Sequence, residues 1–298
     1  MSEAKPELSA VGFIGLGNMG GPMALRLLAA GHAVSVCGRD ARRLDPVLAA
    51  GAVRCADPAE VAAASDMVLT CVTNTDAVEE VLFGTRGLVH GARPGLVVVD
   101  MSTVSPDATR RWAEYLNRNH GIAWLDAPVS GGPSGAASGT LAIMVGGSPA
   151  VFARARPVLA HLGRPTLVGE AGAGQTTKLV NQILVAGLTA LVAEAQGLAA
   201  RAGLDVAALP QALAGGRADS VLLQLFWPRM AAGDYAPTST VTSILKDLAM
   251  VESMGRAKAA ALPLTALVTE LNRWLVAQGH AGEDITALYR FYRPASAC

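Results

Sequence analysis

One stretch near the N-terminus constrains the fold of this 298-residue chain more than any other. Val11-Gly12-Phe13-Ile14 is a short apolar run that passes directly into Gly15-Leu16-Gly17-Asn18-Met19-Gly20, and a helical pattern over residues 19–30 then stops at Gly31. Strand, glycine turn and helix in that order predict the first βα unit of an open parallel sheet. The three glycines have separate tasks: a tight turn at Gly15, close approach of a pyrophosphate at Gly17, and helix–strand packing at Gly20. With Leu16, Asn18 and Met19 they form the expected dinucleotide-binding turn, the pyrophosphate resting on the free N–H groups that open the helix.

The rest of the first half repeats the unit. Residues 33–37, 67–72, 97–100 and 122–126 are short, apolar and bounded by Gly, Asp or Pro, which reads as strands. Helical patterns lie between them, such as residues 108–119 after Pro106. Residues 141–145 and 166–168 extend the sheet after an interruption. From about Gly172 only helical periodicity is left, near residues 206–213, 221–232, 243–254, 264–278 and 284–292. Leu179, Ile183, Leu184, Leu191, Val192 and Leu198 mark the expected apolar face of a long helix. The fold class is therefore α/β: a Rossmann-type doubly wound parallel sheet over residues 1–170, followed by an all-α domain over residues 171–298.

Composition narrows the function. Basic and acidic residues number 24 each, giving a net charge of zero, and no basic block is present. A nucleic-acid partner is not expected, since phosphate binding needs a Lys/Arg-rich patch. Cys37, Cys55, Cys71 and Cys298 are widely spaced with no CxxC pair, so neither a metal site nor a disulfide framework is expected. The apolar run 183–193 is short for a bilayer, and the N-terminus lacks a signal pattern, so a cytoplasmic protein with no membrane partner is expected.

The choice of dinucleotide is read about 20 residues past the glycine turn, at the end of the second strand. The segment there is Cys37-Gly38-Arg39-Asp40. No acid stands at position 38 to hold the ribose hydroxyls of NAD, and Arg39 can pair with the 2′-phosphate of NADP, with Arg42 and Arg43 near enough to assist. Asp40 opposes that pairing. The preference read here is NADP over NAD.

Lysine usage points to the chemistry. Only Lys5, Lys178, Lys246 and Lys258 occur, against twenty arginines (24 basic residues less four lysines). A lysine inside the apolar segment Gly174-Gln175-Thr176-Thr177-Lys178-Leu179-Val180-Asn181-Gln182 suggests a task arginine cannot perform, because guanidinium does not release its proton. Near a helix start, both burial and the positive helix end would lower the lysine pKa. Asn181 and Gln182 follow at three and four residues, on the same helical face.

With the glycine turn and Lys178 in hand, the chain resembles the β-hydroxyacid dehydrogenase family, which includes 3-hydroxyisobutyrate dehydrogenases and tartronate semialdehyde (2-hydroxy-3-oxopropionate) reductases. The resemblance covers nearly the whole chain. It rests on Phe13-Ile14-Gly15-Leu16-Gly17-Asn18-Met19-Gly20, on Asp126-Ala127-Pro128-Val129-Ser130-Gly131-Gly132 with Gly139-Thr140-Leu141, on the Lys178 segment, and on Ile244-Leu245-Lys246-Asp247-Leu248. It implies Lys178 as the catalytic acid–base group in hydride transfer between nicotinamide and a short hydroxy acid or its semialdehyde. Ser130, Gly131, Gly132, Asn181 and Lys246 are implied for a carboxylate-bearing small-molecule substrate, and Lys246 and Asp247 for the cofactor. Thr103, at the carboxyl end of another strand, where ligands of open α/β sheets gather, can touch nicotinamide or substrate. Thr103 can equally cap the helix after Pro106. Pocket size is expected to depend on side chains such as Val221, Leu222, Phe226 and Trp227.

The resemblance also implies a homodimer or homotetramer paired through the helical domains. Two other readings stand beside it. Gly233-Asp234-Tyr235-Ala236-Pro237 with Lys246-Asp247-Leu248 is also similar to four-carbon sugar-acid (threonate-type) dehydrogenases. A non-catalytic, cofactor-binding interaction module is the reading from a different class, against which Lys178 argues.

Overall fold

The computed structural model describes residues 8–38 and 40–293. Arg39 and Cys298, on which two of the expectations above fall, lie outside the described residues. The chain divides into two compact units, Met1–Lys178 and Leu179–Cys298.

The first unit runs β1 (Ala10–Ile14), α1 (Gly20–Ala29), β2 (Ala33–Cys37), α2 (Ala41–Ala49), β3 (Val53–Arg54), α3 (Pro58–Ala63), β4 (Met67–Thr70) and α4 (Thr75–Phe83). It continues with β5 (Val97–Asp100), α5 (Pro106–His120), β6 (Ala123–Asp126), β7 (Val129–Ser130), α6 (Gly132–Ser138), β8 (Leu141–Gly147), α7 (Pro149–Ala160) and β9 (Gly163–Gly169). The sheet order is β3-β2-β1-β4-β5-β6-β8-β7, with β9 on β8. The first six strands pair in parallel.

The extension past β6 differs from a purely parallel sheet: β8 is antiparallel to both β6 and β7, and β9 is parallel to β8. Only the two-residue strand β7 and the seven-residue helix α6 lie between β6 and β8. The two-residue strands β3 and β7 carry no alternation long enough to read in the sequence.

Strand alternation builds two cores. Val11, Phe13, Val34, Val36, Met67, Leu69, Val97, Val99 and Leu125 pack with Met23 and Leu27 of α1, Leu44 and Val47 of α2, and Val158 and Leu159 of α7. The intervening Ile14, Cys37, Val68, Val98 and Trp124 pack with Val61 of α3, Val78 and Leu82 of α4, and Trp112 and Leu116 of α5. A period of two sends neighbouring residues to opposite faces, and helices on both faces make each strand apolar throughout. Side chains of Asp40, Asp57, Asn74 and Ser105 cap α2, α3, α4 and α5 in turn. Ser105, and not Thr103, is therefore the cap of the helix opened by Pro106.

The 29-residue helix α8 (Ala173–Arg201) starts in the first unit and continues into the second. There follow α9 (Leu209–Leu213), α10 (Val221–Ala232), α11 (Val241–Ala257), α12 (Pro263–Ala277) and, after a 3-10 turn at Ile285–Leu288, α13 (Tyr289–Tyr292). Its core joins Ala186, Ala190 and Ala193 of α8 to Phe226, Trp227 and Met230 of α10, Ile244 and Leu248 of α11, and Leu275 of α12. Phe226 and Trp227, expected to shape a pocket, are thus core residues, and the Trp227 Nε1–H donates to the Val206 carbonyl at 2.8 Å.

The face of α8 departs from expectation in part: Leu179 and Val192 are buried as expected, but the other leucines of that face are not. Leu184, Leu191 and Leu198 are 59%, 64% and 71% exposed, while Gln182, Thr189 and Gln196 at the same seven-residue spacing are buried. The helix is long and apolar enough to cross a membrane by length and composition, which the run 183–193 alone did not suggest. The most apolar stretch is 44% buried within the protein.

Candidate active site

The parallel strands end in one row. In register across the sheet stand Cys37, Ile14, Thr70, Asp100 and Asp126, the last residues of β2, β1, β4, β5 and β6. Ligands of open α/β sheets gather just beyond such a row. At β1 the turn Gly15–Gly20 does what its glycines promise. Gly15 has φ +97°, and a Cβ on it would lie 2.3 Å from the Cys71 carbonyl oxygen. A Cβ on Gly20 would lie 1.9 Å from the Gly15 carbonyl oxygen, whereas one on Gly17 would meet only the Arg43 guanidinium, at 3.4 Å. No side chain caps α1 and no acid sits in its first turn. The turn therefore offers an open backbone and an uncompensated positive helix end, and these fit a dinucleotide pyrophosphate.

Beside this turn, the Arg43 Nη1 lies 3.5 Å from the Asn18 Oδ1. Asp40 caps α2 by accepting the Arg42 N–H at 3.1 Å, and its carboxylate also faces Arg42 Nε at 3.5 Å and Arg43 Nε at 3.7 Å. Its charge is thus shared between two guanidinium groups and a helix start. The free thiol of Cys37 is pushed up to about 12, chiefly by burial, which leaves it a neutral core group.

At β4, β5 and β6 the row is polar and buried. Asp100 Oδ1 accepts from the Thr70 hydroxyl at 2.8 Å and from the Ser102 N–H at 3.1 Å, while Oδ2 has no hydrogen-bond partner. Burial raises its pKa to about 6 against the hydroxyls of Ser102 and Thr70 and the Ser102 N–H, and nearby Asp126 adds to the rise. Asp126 accepts the N–H groups of Gly172 and Gln175, each at 2.8 Å, so a strand-end carboxylate closes the start of α8. Burial raises its pKa too, opposed by those bonds. The positive helix end expected to act on Lys178 is therefore met by this carboxylate. Lys178 sits in the second turn of α8 and is 8% exposed.

Ser130 ends β7, pairing with Ala142 of β8, and Gly131 and Gly132 open α6 with φ +138° and +64°. All three are at least partly open to solvent, and nothing lies within 4 Å of a Cβ on Gly132. Thr103 lies in the turn after β5, half-buried.

In the second unit the remaining expected residues form one chain of contacts. The Asn181 amide donates to the Gln182 Oε1 at 2.9 Å, and the Gln182 Nε2 donates to the Asp247 Oδ2 at 2.6 Å. The Lys246 Nζ lies 3.2 Å from the Asp247 Oδ1. Asp247 is buried and its two oxygens face Gln182 and Lys246. Gln182, the less favoured of the two amides in the sequence, is the link between α8 and α11. His280 is engaged with Glu283 at 3.1 Å, which also holds Arg290.

Residues 10–180 match the family profile described as the NAD binding domain of 6-phosphogluconate dehydrogenase, and residues 172–292 match that described as the NAD-binding domain of NADP-dependent 3-hydroxyisobutyrate dehydrogenase. The 2-hydroxy-3-oxopropionate reductase of Escherichia coli (strain K12) is 43% identical over 281 residues, covering 93% of this chain and 95% of that one. The chain belongs to the β-hydroxyacid dehydrogenase family. It is an NAD(P)-dependent oxidoreductase of that family, with a Rossmann-type first domain and a helical second one. Another family member, the L-threonate dehydrogenase of Cupriavidus necator, is 38% identical, with 95% of both chains covered. Among solved structures of the family, the 3-hydroxyisobutyrate dehydrogenase of Salmonella typhimurium superposes with a TM-score of 0.87 at 32% identity, over 95% of this chain and 99% of that one.

Proposed function

We propose that this family member reduces a three- or four-carbon semialdehyde bearing a carboxylate, or oxidises the matching hydroxy acid, with Lys178 as the acid–base group. The observation that carries the reading is a buried lysine in the second turn of α8, a helix whose start is bonded to the carboxyl end of the sheet. The dinucleotide, when bound, donates or accepts the hydride. The chain's own part is to supply or remove the proton at the substrate oxygen, which falls to the Lys178 Nζ.

Asn181, three residues on, is proposed to orient the substrate, and the backbone around Ser130, Gly131 and Gly132 to receive its carboxylate. Lys246 is proposed to close on the bound ligands, held by Asp247. Asp247, expected to bind cofactor directly, is better suited to steadying Lys246, since Gln182 and Lys246 occupy its oxygens. Of the substrates named for relatives, 2-hydroxy-3-oxopropionate is proposed first, on the 43% identity, and L-threonate second.

NADP is proposed over NAD. Arg43 lies against the glycine turn, and Asp40 is occupied by Arg42 and Arg43, which weakens the one objection to a 2′-phosphate there. Self-association through the exposed leucine face of α8 is proposed as well.

The deciding measurement is kcat and cofactor affinity for Lys178→Ala and Lys178→Arg. Both should lose roughly a thousandfold in kcat while binding cofactor normally. An arginine variant with most of its kcat would remove Lys178 from proton transfer. The carboxylate is tested separately. A semialdehyde carrying one should exceed butanal in kcat/KM by about tenfold or more, since a charge-assisted hydrogen bond contributes about 1.5–3 kcal/mol.

A further inference from the structure

One buried side chain near the site has no role so far. Gln175 is 0% exposed, and its amide is fully engaged with a single piece of backbone. The Nε2 donates to the Ser102 carbonyl at 2.9 Å, and the Oε1 accepts the Val104 N–H at 3.1 Å. A carboxamide presents a donor and an acceptor side by side, which suits a carbonyl and the N–H two residues on. Neither an apolar side chain nor an ionised glutamate can make both bonds. If only packing were needed there, an apolar residue would avoid the cost of burying an amide.

The gripped segment is held from its other side too. Asp100 accepts the Ser102 N–H, and the Ser102 Oγ accepts the Val72 N–H at 2.9 Å. Thr103 lies between the two clamped backbone groups. On the α8 side, Asp126 holds the Gly172 and Gln175 N–H groups, and the fit is tight. A Cβ on Gly174 would come within 2.8 Å of Asp126 Oδ2, and one on Gly146 within 2.6 Å of Oδ1. Lys178 follows Gln175 by three residues, on the same face of the helix.

We propose that Gln175 is a positioning residue for Lys178: its amide ties the turn after β5 to the first turn of α8, fixing the lysine relative to Thr103 and the strand ends. This rests on the reading of Lys178 as the proton donor. Removing the clamp leaves cofactor binding in place and costs the proton-transfer step, because a displacement of about 1 Å at a reacting group is enough to lose on the order of a hundredfold in rate.

The test is a double-mutant cycle with 2-hydroxy-3-oxopropionate and NADPH, using Gln175→Met and Lys178→Ala. Gln175→Met alone should lower kcat on the order of a hundredfold, with NADPH affinity within about threefold of the parent. In the Lys178→Ala background the same substitution should cost less than about twofold, because a residue acting only through the lysine has nothing left to position. Equal losses in both backgrounds would overturn the proposal, as would an NADPH affinity that falls as far as kcat.

Gln175→Glu gives a second reading should the methionine variant not fold, or the doubly substituted protein turn over too slowly. A protonated glutamic acid restores both bonds and an ionised one cannot. The charged groups about it are Asp126, which accepts its N–H, Asp100, which holds the Ser102 N–H of the gripped turn, Arg110 of α5 beside Gly172, and Lys178 on its own helix. The kcat of Gln175→Glu relative to the parent should therefore be highest at low pH and fall as pH rises. A ratio that rises with pH sinks the clamp. Should Lys178→Ala itself turn over normally, the lysine reading falls; if that variant is dead and Gln175→Met is unimpaired, only the clamp does.

Discussion

Asp100 is where burial and hydrogen bonding pull hardest against each other. Two donors stabilise its charge at Oδ1, yet full burial and the neighbouring Asp126 carry the pKa up to about 6. A carboxyl whose folded pKa is raised favours the fold while protonated, and that contribution is lost as pH climbs from the unfolded value of 3.8 through the folded value of about 6. Asp100→Asn keeps the Oδ1 acceptor and removes the charge. Its Tm should equal the parent's near pH 4 and exceed it above pH 7. The corresponding difference in unfolding free energy should approach roughly 3 kcal/mol at most, at 1.36 kcal/mol per pKa unit. A gap that does not change with pH would show that the carboxyl is not ionising in this range.

Among the elements, the helical unit depends on one buried carboxylate. Asp284 Oδ2 accepts the Thr238 N–H at 2.8 Å, the Thr238 hydroxyl at 2.7 Å and the Ser239 N–H at 3.1 Å. Its Oδ1 caps the 3-10 turn through Thr286 and lies 3.2 Å from Arg229 Nη1. Burial alone would raise its pKa, but the bonds from Thr238, Ser239 and Thr286 outweigh that and hold it low. Asp284→Ala leaves the N–H groups of Thr238, Ser239 and Thr286 without their acceptor and Arg229 with Asp234 as its remaining carboxylate, and should cost about 3 kcal/mol or more, at roughly 1–3 kcal/mol per buried group left unsatisfied. In urea denaturation, loss of that size with an unchanged m-value is the expected result. The apolar period told where α10, α11 and α12 would form. It gave no sign of this knot, because Asp284 meets partners that are about 46 residues away in sequence.

The molecule as a whole has an exposed apolar stripe that a folded chain alone leaves uncovered. Leu184, Leu191 and Leu198 on α8 repeat every seven residues, with Val180 also 49% exposed. Exposed apolar surface of this kind marks an interaction face, and the proposed self-association, as an isologous dimer, would cover it with the same stripe from a second copy. Leu184→Glu with Leu191→Glu should convert the oligomer to a monomer in light scattering. The helical content should stay the same, since neither side chain is part of the core. A parent protein that is itself a monomer at micromolar concentration would refute the face. The seven-residue spacing was visible in the sequence, but it was read as the buried side of the helix. Two stripes a half-turn apart both showed the same period, and only burial tells them apart.

Sequence alone determined whatever local chemistry enforces. The strand–Gly15–Gly17–Gly20–helix unit and the alternation of strands and helices followed from periods of two and 3.6 and from residues whose tasks are local, and the family from a resemblance carried by short motifs. Lys178 stood out because arginine is the usual cation of this chain. Tertiary structure decided everything that depends on residues far apart in the chain. It turned β8 antiparallel, sent Phe226 and Trp227 into the core, and gave Asp247 to Lys246 and Gln182. It also brought Asp126 and Gln175 together across 49 residues and Gln175 to Val104 across 71, tying the start of α8 to the sheet. No pattern in a single sequence encodes such pairings, because a hydrogen bond depends on where two groups end up in space and not on the spacing of either along its own helix or strand.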